Sequence, residues 1–213
     1  MRLSRCAARG TDDDRGIIYR VTGTGLAATP VATKPVPNPI LPPPPSAIAF
    51  DMFDAEASLK PTADFAPNVP IPAGHGAKGE NTSPPLSWAA EPEGTLSDVL
   101  IVDDPDAEEP KPFTHWVIYD LPALVTALHE GLPVDPKLPD PKDAKQGVND
   151  TGSTGYTGPE PPVGDPAHHC HFQLFRLDTD TLGLDHGATD DAVLSAMRGH
   201  VLAKVEIVGL FNR

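Results

Sequence analysis

Proline decides what this chain can become. The 213 residues include 27 prolines, far above ordinary usage. Each removes a backbone donor and fixes φ, so each breaks a helix interior or a central strand ladder. What remains between them is a series of short apolar runs separated by proline and glycine turns. Many short strands with few helices imply a mainly β fold, an antiparallel sandwich or barrel. With 39% hydrophobic residues the chain can supply a core, and it contains no run of eighteen apolar residues to span a membrane.

The prolines also divide the chain. Residues 1–46, with ATPVATKPVPNP and four prolines at 42–45, read as a disordered proline-rich leader. Its start, MRLSRCAARG, has the charge of a signal peptide's first segment, but TDDDRG follows in place of an apolar stretch. The expected location is therefore cytoplasmic, with export left open by the atypical leader. Residues 47–213 are expected to form one domain. The net charge is -14, and the leader holds only 3 of the 30 acidic residues against 6 of the 16 basic ones. Such an acidic domain repels phosphate backbones and anionic surfaces, so no nucleic-acid partner is expected. An anionic ligand would need a local pocket that overrides this field. Cys6 and Cys170 are the two cysteines and imply no disulfide framework.

Individual elements follow from periodicity. Ile48, Phe50 and Met52 alternate with Ala49, Asp51 and Phe53, the pattern of a first strand. Residues 60–80 read as loop with short extended pieces, and 81–88 as a stiff turn delivering Trp88 to the core. Residues 99–102 are a short buried strand. In 113–119, period two places Phe113, His115, Val117 and Tyr119 on one face. Near the end Val201, Ala203, Val205, Ile207 and Phe211 share a face opposite His200, Lys204 and Glu206. A helix is predicted over 190–198, with Thr189 as its cap, Val193, Leu194 and Met197 on its inner face and Gly199 ending it. A second short helix is predicted over 122–129.

Chemistry concentrates at 147–175. Gly152, Gly155, Gly158 and Gly164 with Pro159, Pro161 and Pro162 make a stiff turn, which feeds an extended run carrying His168, His169, Cys170 and His171. On a strand, His168 and Cys170 point one way and His169 and His171 the other. Asp104 and Asp106 end the 99–102 strand, and His115 sits on the next. An imidazole held by a carboxylate presents its other nitrogen in a fixed state. Two of them beside the backbone of a glycine-rich turn make a cradle for a phosphate or carboxylate. The rival arrangement is a metal-assisted hydrolase, with Asp104, His115 and His168 as three ligands and an open fourth position. Neither a paired-histidine helix motif nor a separate general base accompanies it.

At these residues the chain resembles a bacterial member of the phosphatidylethanolamine-binding protein family, the Raf kinase inhibitor-like proteins. The matching segments are NTSPPLSW (81–88), DDPDA (103–107), FTHWVIYDLP (113–122), the 147–162 turn, HHCHFQLFRLD (168–178) and GHVLAKVEIVG (199–209). They span nearly all of 47–213 and none of the leader. The resemblance implies a Greek-key β-sandwich with a few short peripheral helices and an anion pocket at one end. That pocket would comprise Asp104, Asp106, His115, Gly158, Pro159, Glu160, Pro161, Pro162, His168 and Cys170, with the histidines donating to the anion and Asp104 orienting a partner. It further implies a non-enzymatic binding or inhibitory module without cofactor. Its partner would be a small phosphate-like ligand or a kinase or protease, and a homodimer stays open. Three departures bear on ligand chemistry. Cys170 stands where the family usually has tyrosine, Glu160 where it has a small residue or cysteine, and Glu108 where it has proline. With its last residue at Arg213, the chain is also expected to lack the C-terminal helix of eukaryotic relatives. A protein–protein inhibitor with a vestigial pocket is the third reading.

Overall fold

A computed structural model describes residues 47–57, 61–89, 93–107 and 110–213. The expected leader at 1–46 and the Glu108 departure lie outside them. The described strands are β1 (Glu56–Ala57), β2 (Thr62–Ala63), β3 (Leu86–Ser87), β4 (Ser97–Asp104), β5 (Phe113–Pro122), β6 (Ala127–Leu128), β7 (Lys145–Gln146), β8 (His168–Leu177) and β9 (Val201–Phe211), with one α-helix, α1 (Asp190–Met197), before β9. Six strands form a sheet in the order β1-β9-β8-β4-β5-β7, and β2, β3 and β6 form a three-stranded second sheet. β8 returns past β7 and β5 to lie antiparallel beside β4, the Greek-key return. β1 runs parallel to β9; every other strand pairing is antiparallel.

The long strands are apolar on both faces because both faces are covered. On one, Leu100, Val102, Trp116, Ile118, Phe172 and Leu174 pack with Leu86 and Leu128 of the small sheet, together with Trp88. On the other, Val99, Ile101, Val117, Tyr119, Phe175 and Leu177 pack with Val193, Leu194 and Met197 of α1. Each such fully buried side chain contributes about 1.5–3 kcal/mol relative to exposure. β9, between β1 and β8, keeps its expected alternation, with Ala203, Val205, Ile207 and Phe211 buried and Lys204 and Glu206 half-buried. The predicted α1 is present: Thr189 Oγ1 accepts from the Ala192 N–H at 3.3 Å, and Gly199 follows in the left-handed region at φ +84°.

Two expected elements are different in the structure. Residues 48–53 are not a strand; Ala49–Met52 form a 3-10 turn. Its backbone is satisfied by side chains instead of a ladder. The Ala49 N–H donates to Asp103 Oδ2 (2.9 Å), the Phe50 N–H to Gln173 Oε1, and Lys204 Nζ donates to the carbonyls of Phe50 and Phe53 (2.7 Å each). Residues 122–129 are not a helix either. Pro122 ends β5, and Leu128 pairs with Leu86 in the small sheet. A cross-strand partner and a place in the core outweigh a marginal local helix propensity.

One buried carboxylate is linked to stability. Asp98 lies opposite Arg176 in the β4–β8 register and is fully buried, with Arg176 Nε 3.9 Å from Oδ1. Burial pushes its carboxyl up from 3.8 to about 7, against the pull of Arg176 and Trp88. The folded chain thus holds a proton that the unfolded chain releases, and this contribution is lost as pH rises from 3.8 through about 7. Asp98→Asn keeps the shape without the charge. The stability of wild type relative to Asp98→Asn should fall across that range by a few kcal/mol, on the order of 1.4 kcal/mol per pKa unit. Urea midpoints at several pH values measure it, and a pH-independent difference would show that Asp98 is not the titrating group.

Candidate functional site

A β-bulge builds the site. Along β4 and β5 the pairing runs Val102↔Trp116 and then Asp103↔Thr114, so β5 has one extra residue there, His115. A bulge re-aims the side chains beyond it. Thr114 turns to the α1 side, where its Oγ1 lies 3.4 Å from Asp103 Oδ1 and 3.2 Å from Asp190 Oδ2. His115 turns to the opposite side and lines the same cavity as His168. The period-two expectation, which kept His115 on the face of Val117 and Tyr119, is thereby corrected. Period two does not survive an inserted residue.

Asp104 is the centre. It is buried at the end of β4, and its Oδ1 accepts from the Asp106 N–H at 2.9 Å, fixing the turn at Pro105. Its Oδ2 lies 2.7 Å from His168 Nδ1 and 3.8 Å from His115 Nε2. Burial works against this charge, yet hydrogen bonding from the His168 imidazole and the Asp106 N–H holds the carboxyl below the usual carboxylate range. The ionised carboxylate therefore accepts from His168 Nδ1–H. His115 Nδ1 lies 3.0 Å from the Thr157 carbonyl, which can only accept, so that nitrogen also carries its proton. His115 Nε2 is then a buried lone pair with no hydrogen-bond partner. Left neutral, the two imidazoles present acceptors at Nε2, not the donors expected of them, beside one negative charge.

The glycine-rich turn forms the wall. The Thr157 N–H donates to the His115 carbonyl (3.0 Å), and the Asp150 N–H to that of Thr114 (3.0 Å), so the segment lies along the end of β5. Gly158 donates to Asn81 Oδ1 at 2.7 Å. A Cβ on Gly158 would stand 2.0 Å from the His75 carbonyl oxygen and 2.7 Å from Ala77 N, so this glycine serves close approach, whereas Gly152, Gly155 and Gly164 adopt positive φ. His75 holds the segment beneath it, bonding Thr82 O (2.7 Å) and Asp64 Oδ2 (2.9 Å) through its ring and accepting from Tyr156 Oη (2.8 Å) at its carbonyl.

The resulting cavity has a volume of about 270 Å³. Of the expected site residues, Asp104, His115, Gly158, Glu160, Pro161, Pro162 and His168 line it. Asp106, Pro159 and Cys170 do not. Asp106 instead binds the exposed His169 through its N–H (2.8 Å) and Nδ1 (2.7 Å). Pro159 offers its carbonyl to the Ala77 N–H at 3.2 Å. Cys170 lies buried in the sandwich core, with its thiol held protonated by burial and by Asp104 and Asp106. Glu160 sits at the rim, paired with Lys78 at 2.9 Å and Arg213 at 3.1 Å. Those cations pull its carboxyl down and offset its charge. Sequence reasoning missed the lining residues Ala77, Phe113, Thr151, Thr157 and Asp165. Asn81 and Thr157 lie inside motifs already noted, but nothing local links Lys78 or Arg213 to Glu160.

The large sheet of the sandwich carries a pocket with Asp104, His115 and His168 in its lining, and comparison with known proteins places this fold in a family. The sequence pattern of the phosphatidylethanolamine-binding protein family matches residues 61–212. A UPF0098 protein of Methanothermobacter thermautotrophicus is 47% identical over 143 residues, 67% of this chain and 91% of its own. One from Aquifex aeolicus is 40% identical over 168 residues, covering 78% and 96%. The crystal structure of Escherichia coli YbcL, described as a member of the mammalian family, superposes with a TM-score of 0.68 at 31% identity, covering 72% of this chain and 98% of YbcL. A Chlamydia trachomatis homologue gives 0.64 at 34% identity, covering 72% and 97%. The chain belongs to the phosphatidylethanolamine-binding protein family.

Gly158→Ala tests how the wall is held. The added methyl collides with backbone on two sides, so the variant should lose about 1–3 kcal/mol, read as a lowered urea midpoint. An unchanged midpoint would mean that the 73–82 segment yields freely.

Proposed function

We propose that the pocket receives a small phosphate-like anion, free or as a phosphorylated headgroup, and that the protein is a non-enzymatic binding module. The observation that carries this reading is the pair of imidazoles flanking the buried Asp104 carboxylate at the floor of a cavity of about 270 Å³. An arriving anion brings protons with it or takes them from water. Each imidazole protonated at Nε2 becomes a charge-assisted donor aimed into the cavity. Asp104, kept ionised, stabilises both imidazolium rings. The other charges facing the pocket are Asp165 and Glu160, the latter offset by Lys78 and Arg213. The thiol of Cys170 lies buried outside the pocket lining. A kinase or protease regulated by the module would meet the segment that follows the lining residue Pro162, where Val163 is exposed.

Inorganic phosphate and phosphoethanolamine titrated into chelator-treated protein should shift the ring resonances of His115 and His168. Removing either ring, in His115→Ala or His168→Ala, should cost roughly 10–150-fold in affinity, the worth of one hydrogen bond to a charged group. Histidine resonances that stay fixed at millimolar phosphate would defeat the reading.

A further inference from the structure

At the cavity floor lies a second arrangement, which shares Asp104 and His115 with the anion reading and adds the buried Cys170. The ligand atoms of Asp104, His115 and Cys170 all lie within 4.8 Å of one another, and all three side chains are buried. His115 Nε2 is the unpartnered atom among them. Its lone pair points toward the Asp104 carboxylate 3.8 Å away, so two electron-rich atoms face each other across a gap that no hydrogen bond bridges. Such a gap is stabilised by a positive charge placed within it. We propose that Asp104, His115 and Cys170 form a binding site for a borderline-soft divalent cation of the zinc class, with the cavity side left for a water or anion oxygen.

The donor set selects the metal. One thiolate, one imidazole and one carboxylate suit Zn²⁺ or Co²⁺ and disfavour Mg²⁺ and Ca²⁺, which take oxygen ligands. The spacing is compatible, since metal bonds of about 2.0–2.3 Å place tetrahedral ligands within about 4 Å of each other. The outer contacts are also built. His115 Nδ1 is held by the Thr157 carbonyl at 3.0 Å, which fixes the tautomer that leaves Nε2 free to ligate. His168 Nδ1 holds Asp104 Oδ2 at 2.7 Å, so His168 acts here as a positioning residue. Binding breaks the S–H bond of Cys170, forms a metal–sulfur bond and releases one proton to solvent. The thiol is the group a cation would ionise.

Co²⁺ titrated into reduced, chelator-treated full-length protein tests this, in a Cys6→Ser background so that only Cys170 can supply sulfur. The expected result is one bound ion, a near-ultraviolet sulfur-to-cobalt charge-transfer band, release of one proton, and displacement by Zn²⁺. Cys170→Ala should abolish the band and weaken binding by about 100-fold or more, a ligand mattering at least as much as the outer partners worth about 10–100-fold. His115→Gln should weaken binding similarly while a band persists at high Co²⁺, which keeps the test decisive if Cys170→Ala does not fold. Binding without the band, affinity unchanged in either variant, or no uptake at micromolar metal overturns the proposal. The site shares Asp104 and His115 with the anion reading but is tested separately. Phosphate binding is measured on chelator-treated protein, so either can fail alone.

Discussion

The Asp104 carboxylate is the constraint on which this end of the sandwich depends. It is buried yet stays charged, and a charge out of water is costly unless nearly every lone pair is answered. The Asp106 N–H answers one oxygen at 2.9 Å, and His168 the other at 2.7 Å. Those two bonds tie the end of β4 to its own turn and to the start of β8. The second imidazole, His115, completes the surround without touching. Removing the charge would therefore loosen the turn, the strand end and both rings together.

Asp103 and Asp104 are neighbours with opposite fates, and the bulge in β5 is what separates them. Asp103 faces the α1 side, where the Ala49 N–H, Gln173 Nε2 and Thr114 Oγ1 surround it. There burial dominates and its carboxyl is pushed up, toward the neutral form. Asp104 faces the cavity side and is held ionised. Without the extra residue on β5, His115 would share a face with Thr114's present neighbours and the cavity would lose one of its two rings. One inserted residue thus decides that the floor has two imidazoles and that Asp103 has Thr114.

Much of this was legible in the residue string. The long strands, α1 with its Thr189 cap, and the alternation of His168, His169, Cys170 and His171 follow from periodicity and cap chemistry, and each is present. Other features were hidden for definite reasons. A bulge leaves no mark on a run such as FTHWVIY, because the inserted residue is an ordinary member of the strand. The 3-10 turn at Ala49–Met52 alternates like a strand, and only Lys204, Gln173 and Asp103, remote in sequence, show where its backbone bonds go. The two alanine-rich segments at 122–129 and 190–197 look alike locally; a β-partner at Leu86 claims the first. Glu160 reads as a repulsive charge until Lys78 and Arg213 are seen to reach it across 82 and 53 residues of chain.

The unbonded His115 Nε2 carries the remaining argument. As the protons stand, the floor offers lone pairs and one negative charge, a poor host for an anion. Positive charge must enter between Asp104 and His115 before a phosphate can be held. A proton on Nε2 supplies it, and so does a metal ion, but one lone pair cannot take both. The two occupancies are mutually exclusive at that atom, and they make different demands on Cys170: a proton on His115 leaves the thiol intact, a metal requires the thiolate. Cys170 is thus the residue that separates a proton-charged cradle from a metal-charged one.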